Sequence, residues 1–214
     1  MPPKPPRPLT QTTLLRGVRE LAARDGHLAG VAERFGPPPL WGRPSGFATL
    51  VRIILEQQVS LASGRAAYTR LQAAAGTVTP GSVACISEAR LRRHGLTRQK
   101  ARYCRSLACL IVDRKFTLTD LAHLDDRAGR EKLLQVPGIG PWTADIYLLM
   151  ALRRPDIWPV GDLALAKSAQ QVKRMRNCPS QEKLRRIARA WAPWRAVAAR
   201  ILWHAYLSSK ERVS

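Results

Sequence analysis

Apolar side chains recur along this chain with a helical period and almost nowhere with the period of two that marks a strand. Between Gly46 and Gln57 they fall at Phe47, Leu50, Val51, Ile54 and Leu55, which lines one face of a helix. Ser60 is placed to cap a second helix reaching about Ala75. Ser87 is placed to cap a third, which Gly95 ends as a C′ glycine. Thr97 is placed to cap a fourth, with Ala101, Cys104, Leu107, Ala108 and Ile111 on its inner face. A short polar stretch runs from Thr117 to Arg127, and a helix follows from about Gly129 to Gln135. Val136-Pro137-Gly138-Ile139-Gly140 interrupts the pattern, and Pro141 opens the next helix, where its missing N–H is not needed. That helix carries Trp142, Ile146, Leu149 and Met150, and Arg153, Arg154 and Pro155 close it. Another begins at Gly161-Asp162, and the last two span about Gln181 to Trp191 (capped by Ser180) and Pro193 to Leu207. The pattern predicts an all-α chain of about nine to eleven helices, with no internal repeat.

Composition narrows the partners. The chain has 214 residues, 45% of them hydrophobic, enough for a substantial core. Thirty-six Lys and Arg against 15 Asp and Glu give a formal charge of +21, a field that favours a polyanion. The basic residues cluster, as at Arg90, Arg92, Arg93, Arg98, Lys100, Arg102 and Arg105. No basic helix with a separate bulky apolar face suggests a membrane surface, and no apolar run is long enough to span one. The opening MPPKPPRPLTQTTLL lacks a signal peptide's apolar stretch, and residues 1–14 read as a Pro-rich basic arm. Cys85, Cys104, Cys109 and Cys178 have neither zinc nor iron–sulfur spacing and read as buried, reduced thiols.

The most informative stretch is Leu134-Gln135-Val136-Pro137-Gly138-Ile139-Gly140-Pro141-Trp142-Thr143-Ala144. Two glycines between helices allow a tight reversal with positive φ and leave backbone N–H groups bare. The second helix would aim its N-terminus at the same place, a grip on a DNA backbone that reads no sequence. A glycine pair alone fits an ordinary helical hairpin equally well.

The whole segment resembles the hairpin of the helix-hairpin-helix (HhH-GPD) DNA glycosylases. Twenty residues beyond Trp142, Val160-Gly161-Asp162-Leu163 is similar to the Gly/Pro-rich loop that carries the family's aspartate. Ile54-Leu55-Glu56-Gln57-Gln58-Val59-Ser60 resembles the turn that probes the duplex. Pro193-Trp194-Arg195 with Trp203 resembles the C-terminal helix of the DNA-3-methyladenine glycosylase II branch. The matches run from about Phe47 to Tyr206.

This resemblance implies two helical lobes with a DNA-binding cleft between them: a middle lobe of about 45–161, and an outer lobe from about 15–44 plus 162–214. It implies Asp162 as the catalytic carboxylate, although an aspartate there also suits a helix N-cap. It places Trp142, Trp203 and Ile146 at the base pocket, Gln58 at the wedge that fills the hole left by a flipped base, and Gly138, Gly140 and Thr143 at the DNA backbone. The backbone carbonyls of Leu134, Val136 and Ile139 would hold a structural monovalent cation, Na+ or K+, and no cofactor is required for the reaction. Relatives that nick the strand carry a lysine where this chain has Trp142, so the expected activity is hydrolysis alone, leaving an abasic site. Arg130 and Lys132 precede the hairpin and do not match that lysine. The expected partner is double-stranded DNA carrying a damaged base, probed by a monomer that is cytoplasmic (nucleoid-associated) in a bacterium or nuclear in a eukaryote. An alkylated purine such as 3-methyladenine or 7-methylguanine suits aromatic walls, because it is cationic. Oxidised, deaminated or mismatched bases stay open, as do a non-catalytic hairpin module and, on charge alone, an RNA or chromatin protein.

Overall fold

The computed structural model describes residues 5–211, all helix and connecting loop, with no strand among them. In chain order the helices are α1 (Gln11–Arg24), α2 (Gly26–Phe35), α3 (Phe47–Glu56), α4 (Leu61–Ala75), α5 (Pro80–Ala84), α6 (Glu88–Arg93), α7 (Arg98–Val112), α8 (Asp126–Leu134), α9 (Pro141–Ile146), α10 (Leu163–Val172), α11 (Gln181–Arg189) and α12 (Arg195–Glu211). A 3-10 turn at Thr119–Ala122 and a π-helical stretch at Tyr147–Ala151 complete the described set. Twelve α-helices therefore exceed the expected nine to eleven. One unexpected helix is α5, which a capping box between Thr79 and Ser82 starts and Pro80 favours at its first position.

The caps foreseen in the sequence form. Ser60, Ser87, Thr97 and Ser180 each accept a hydrogen bond from the backbone N–H three residues on. Gly95 ends α6 with φ +82°. On α7, Ala101, Cys104, Leu107 and Ala108 are fully buried, while Ile111 is half-buried.

The chain divides into two compact units. Among the described residues, the first comprises Arg43–Tyr147 and the second Pro6–Gly42 with 148–211. The middle lobe expected at about 45–161 thus ends sooner. The backbone from Leu148 onward is tied within the second unit: Arg200 donates to the Leu149 carbonyl at 2.9 Å, and Ala196 N–H to the Pro155 carbonyl at 3.0 Å. In the first unit α7 packs against α3, α5 and α6, and α3 against α4 and α9. In the second unit α12 packs against α1, α2, α10 and α11.

The arm expected over residues 1–14 is shorter than that. Residues 1–4 lie outside the described residues. Leu9 is buried, its N–H donates to the Arg153 carbonyl at 2.7 Å, and Thr10 caps α1. No helix among the described residues is long and apolar enough to cross a membrane.

The four cysteines are free thiols, but only Cys104 is buried; Cys109 is half-buried, and Cys85 and Cys178 are exposed. Burial pushes the Cys104 thiol up to about 12. Thiolate is the reacting form, so Cys104 carries almost none at neutral pH. A thiol-titrating disulfide reagent at pH 8 is expected to modify Cys85 and Cys178 quickly and Cys104 only after denaturation. Prompt loss of the Cys104 thiol in the native protein would contradict this packing.

Candidate active site and nucleic-acid interface

The hairpin begins where α8, capped by Asp125, runs out at Leu134. Val136 N–H donates to the Leu133 carbonyl, and Ile139 N–H closes the reversal on the Val136 carbonyl at 3.0 Å. Gly138 sits at φ +88°, and a Cβ there would lie 2.2 Å from the Tyr103 ring. Glycine is thus required twice, by conformation and by the ring. Gly140 differs from the sequence expectation. Its φ is −89°, in extended backbone open to any residue, and a Cβ there meets nothing within 4 Å. It is the N-cap of α9, with no side chain bonded to the helix start and Pro141 behind it. Only Gly138 makes the reversal; Gly140 leaves the backbone uncovered.

Thr143, expected at the DNA backbone, has its side chain buried. It is 2% exposed, and its hydroxyl accepts a hydrogen bond from Gln57 Nε2 at 2.7 Å. The same amide donates to the Gly138 carbonyl at 2.9 Å. One side chain at the end of α3 therefore fixes both the tip of the hairpin and the start of α9. The sequence reading missed Gln57. Replacing it with alanine leaves a buried hydroxyl and a carbonyl short of a donor, which costs about 1–3 kcal/mol. Gln57→Ala is expected to melt lower and to bind duplex DNA more weakly, measured by thermal denaturation and fluorescence anisotropy.

The adjoining turn is held from below. Glu56 is buried and accepts from Arg43 at 2.8 and 3.2 Å, with Arg52 at 3.4 Å. Gly64 on α4 lies so close that a Cβ would come within 2.7 Å of Glu56 Cγ. Lys100 Nζ donates to the Leu55 carbonyl at 2.6 Å, where a cation suits the C-terminus of α3. Partial burial lowers the Lys100 pKa. Lys100 is thus a cap for α3, and Arg98 remains an exposed cation at the start of α7. Gln58 sits at the outer tip, exposed, with φ +55°. Val59 and Leu61 beside it are 44% and 53% exposed. An exposed polar tip flanked by apolar side chains on a fixed base can enter a base stack.

In the α9 segment, Trp142 is half-buried and Ile146 is 3% exposed. The cations before the hairpin are both engaged: Arg130 bonds Asp145 at 2.7 Å and Lys132 bonds Asp120 at 2.6 Å.

Asp162 belongs to the second unit. Gly161, at φ +85°, turns the chain into α10, and its N–H donates to Gln181 Oε1 at 2.9 Å. Asp162 then caps α10, its Oδ1 accepting from Leu165 N–H at 2.8 Å. The same oxygen lies 3.3 Å from Trp203 Nε1. Asp162 is 9% exposed and Trp203 8%. The candidate catalytic carboxylate and a candidate base-pocket residue, read separately from the sequence, are therefore neighbours. The capping bond orients the carboxylate. Trp158, by contrast, packs on Trp191 with ring centroids 5.4 Å apart, as a core residue.

Comparison with known proteins agrees with this layout. Residues 51–193 match the model of the HhH-GPD superfamily of base excision DNA repair proteins. A putative DNA-3-methyladenine glycosylase of Bacillus subtilis, YfjP, is 24% identical over 184 residues, covering 82% of this chain and 64% of that protein. A probable bifunctional transcriptional activator/DNA repair enzyme, AlkA, of Mycobacterium tuberculosis is 30% identical over 164 residues, 72% of this chain and 32% of its own length. The chain thus spans under two thirds of each. The crystal structure of a DNA-3-methyladenine glycosidase from Bacillus halodurans superposes with a TM-score of 0.76 at 29% identity, covering 91% of each chain. With the family match extending over most of its length and over both the hairpin and the Asp162 loop, this chain belongs to the HhH-GPD superfamily of base excision DNA repair proteins.

Proposed function

We propose that this protein is a monofunctional DNA glycosylase that flips a damaged purine out of duplex DNA and hydrolyses its N-glycosidic bond, with alkylated purines such as 3-methyladenine and 7-methylguanine as substrates. The observation that carries this reading is the oriented carboxylate of Asp162, held by Leu165 N–H with the Trp203 indole against the same oxygen.

Departure of the base leaves positive charge on the sugar. A carboxylate beside that sugar stabilises the oxocarbenium-like state and orients or deprotonates the attacking water. The base leaves with the bonding electron pair, water supplies the new C1′–O bond, and its proton passes to the carboxylate or solvent. Trp203 and Trp142 offer electron-rich faces for a cationic base, and Ile146 offers apolar bulk. Gln58 fills the vacated stack and offers an amide to the orphaned partner. The bare N–H groups at Gly138 and Gly140 serve the phosphate backbone, with the +21 charge making binding salt-sensitive.

The carbonyls of Leu134, Val136 and Ile139 would hold a monovalent cation. Neutral oxygens suit such an ion, and the Val136 carbonyl, already taking the Ile139 N–H, keeps a second lone pair. The cation would supply a fixed charge for a phosphate and take no part in bond cleavage. The protein works as a monomer on double-stranded DNA carrying a damaged base, in the cytoplasm of a bacterium or the nucleus of a eukaryote.

No lysine occupies position 142, and Lys132 is paired with Asp120. Borohydride reduction during turnover is therefore expected to trap no protein–DNA adduct, and the product strand is expected to stay intact until treated with alkali. A trapped adduct would assign lyase chemistry and end the monofunctional reading.

A further inference from the structure

Among the described residues, five non-glycine residues take positive φ, and Trp41, at +46°, is the bulkiest of them. A bulky side chain rarely adopts this conformation unless its surroundings impose it. Here they do. Arg200 is fully buried and donates to three carbonyls, those of Leu40 at 2.7 Å, Ala196 at 2.9 Å and Leu149 at 2.9 Å. Its Nε thus clamps the peptide immediately before Trp41 onto α12.

The clamp delivers the indole to a particular place. The Trp41 ring meets Trp203 edge to face, centroids 6.5 Å apart at 68°, and meets His204 at 6.3 Å and 67°. Trp203 in turn has its indole nitrogen 3.3 Å from Asp162. All these residues lie in the second unit. Trp41 stays half-buried, so part of its surface remains open. An edge-to-face pair makes a corner, and a corner of two indoles one side chain away from a carboxylate suits a flat cation better than a neutral ring does.

We propose that Trp41 is a base-recognition residue, forming with Trp203 an aromatic corner beside Asp162 against which the cationic alkylated purine stacks. This rests on the glycosylase reading above and adds to it a residue that neither hairpin nor aspartate motif contains. The Arg200 clamp is what keeps Trp41 there against its backbone preference.

The test uses Trp41→Phe, Trp41→Leu and Trp41→Gly on a duplex with a single 7-methylguanine, read as single-turnover base release. Affinity for a duplex containing a tetrahydrofuran abasic analogue and thermal melting are measured beside it. Leucine keeps apolar bulk without a π face, and glycine suits φ +46° without strain. Release is expected to fall by about tenfold or more in Trp41→Leu and Trp41→Gly and by less in Trp41→Phe, with abasic-duplex affinity held. The proposal is overturned if leucine matches phenylalanine, if all variants release the base at the wild-type rate, or if loss of release follows loss of abasic-duplex affinity and melting temperature. If wild-type protein releases no 7-methylguanine, the glycosylase reading fails first, and the two failures are distinct.

Discussion

Asp162→Asn is expected to lower base release by on the order of 10²–10³-fold or more while leaving melting temperature and DNA affinity close to those of the wild type. Asparagine caps helices as well as aspartate does, so the bond to Leu165 N–H at the start of α10 survives. What disappears is the negative charge next to the developing sugar cation. The two roles of Asp162 therefore separate in one substitution. Asp162→Ala removes both, and should add about 0.5–2 kcal/mol of instability to the catalytic loss. Single-turnover release and thermal melting, run on both variants, distinguish a chemical from a structural role. If the asparagine variant cleaved at the wild-type rate, the carboxylate would be a cap and nothing else.

Gly138→Ala is expected to be the most destabilising small substitution in the hairpin. The alanine would be forced to φ +88°, and its Cβ would stand 2.2 Å from Tyr103 Cγ, where no real contact exists. The nearest Tyr103 atom is Cγ, the root of the ring, so a swing of the ring tip does not clear the contact. Backbone strain and overpacking together cost about 2–6 kcal/mol, a large part of the stability of an ordinary domain. Gly140→Ala is the matched control. Its φ of −89° suits alanine and its surroundings are open, so stability should change by less than about 1 kcal/mol. Urea denaturation of the two variants measures the contrast directly. Equal losses would mean that the two glycines act alike and that the Tyr103 contact is not decisive.

That contrast also marks where sequence reasoning stops. Helix starts were legible because a cap is a local event: Ser60, Ser87, Thr97 and Ser180 bond to an N–H three residues away, and nothing distant decides it. The five-residue α5 was not, because Thr79-Pro80-Gly81-Ser82 reads as well as a turn. Gly138 and Gly140 look the same in the sequence; a φ of +88° and the seating of Tyr103 set the first apart. Gln57 bonds to residues 81 and 86 positions away, and Trp203 reaches Asp162 across 41. No periodicity announces such pairs. The resemblance implied Thr143 as a contact to the DNA backbone; the burial of its side chain against Gln57 is a tertiary fact. Trp41 carried no motif at all, and its significance rests on a clamp made by Arg200 from the far end of the chain. The family's hairpin and aspartate were legible for the opposite reason, since backbone geometry and a single carboxylate need only a few residues at fixed spacing.

The most direct test of the account is chromatographic analysis of the bases that the wild-type protein releases from a duplex carrying one 7-methylguanine, against the same duplex with guanine. The account predicts free 7-methylguanine, an intact strand that breaks at that site only after alkali, and no release from the control. A protein that binds both duplexes with strong salt dependence yet frees no base from either would contradict it.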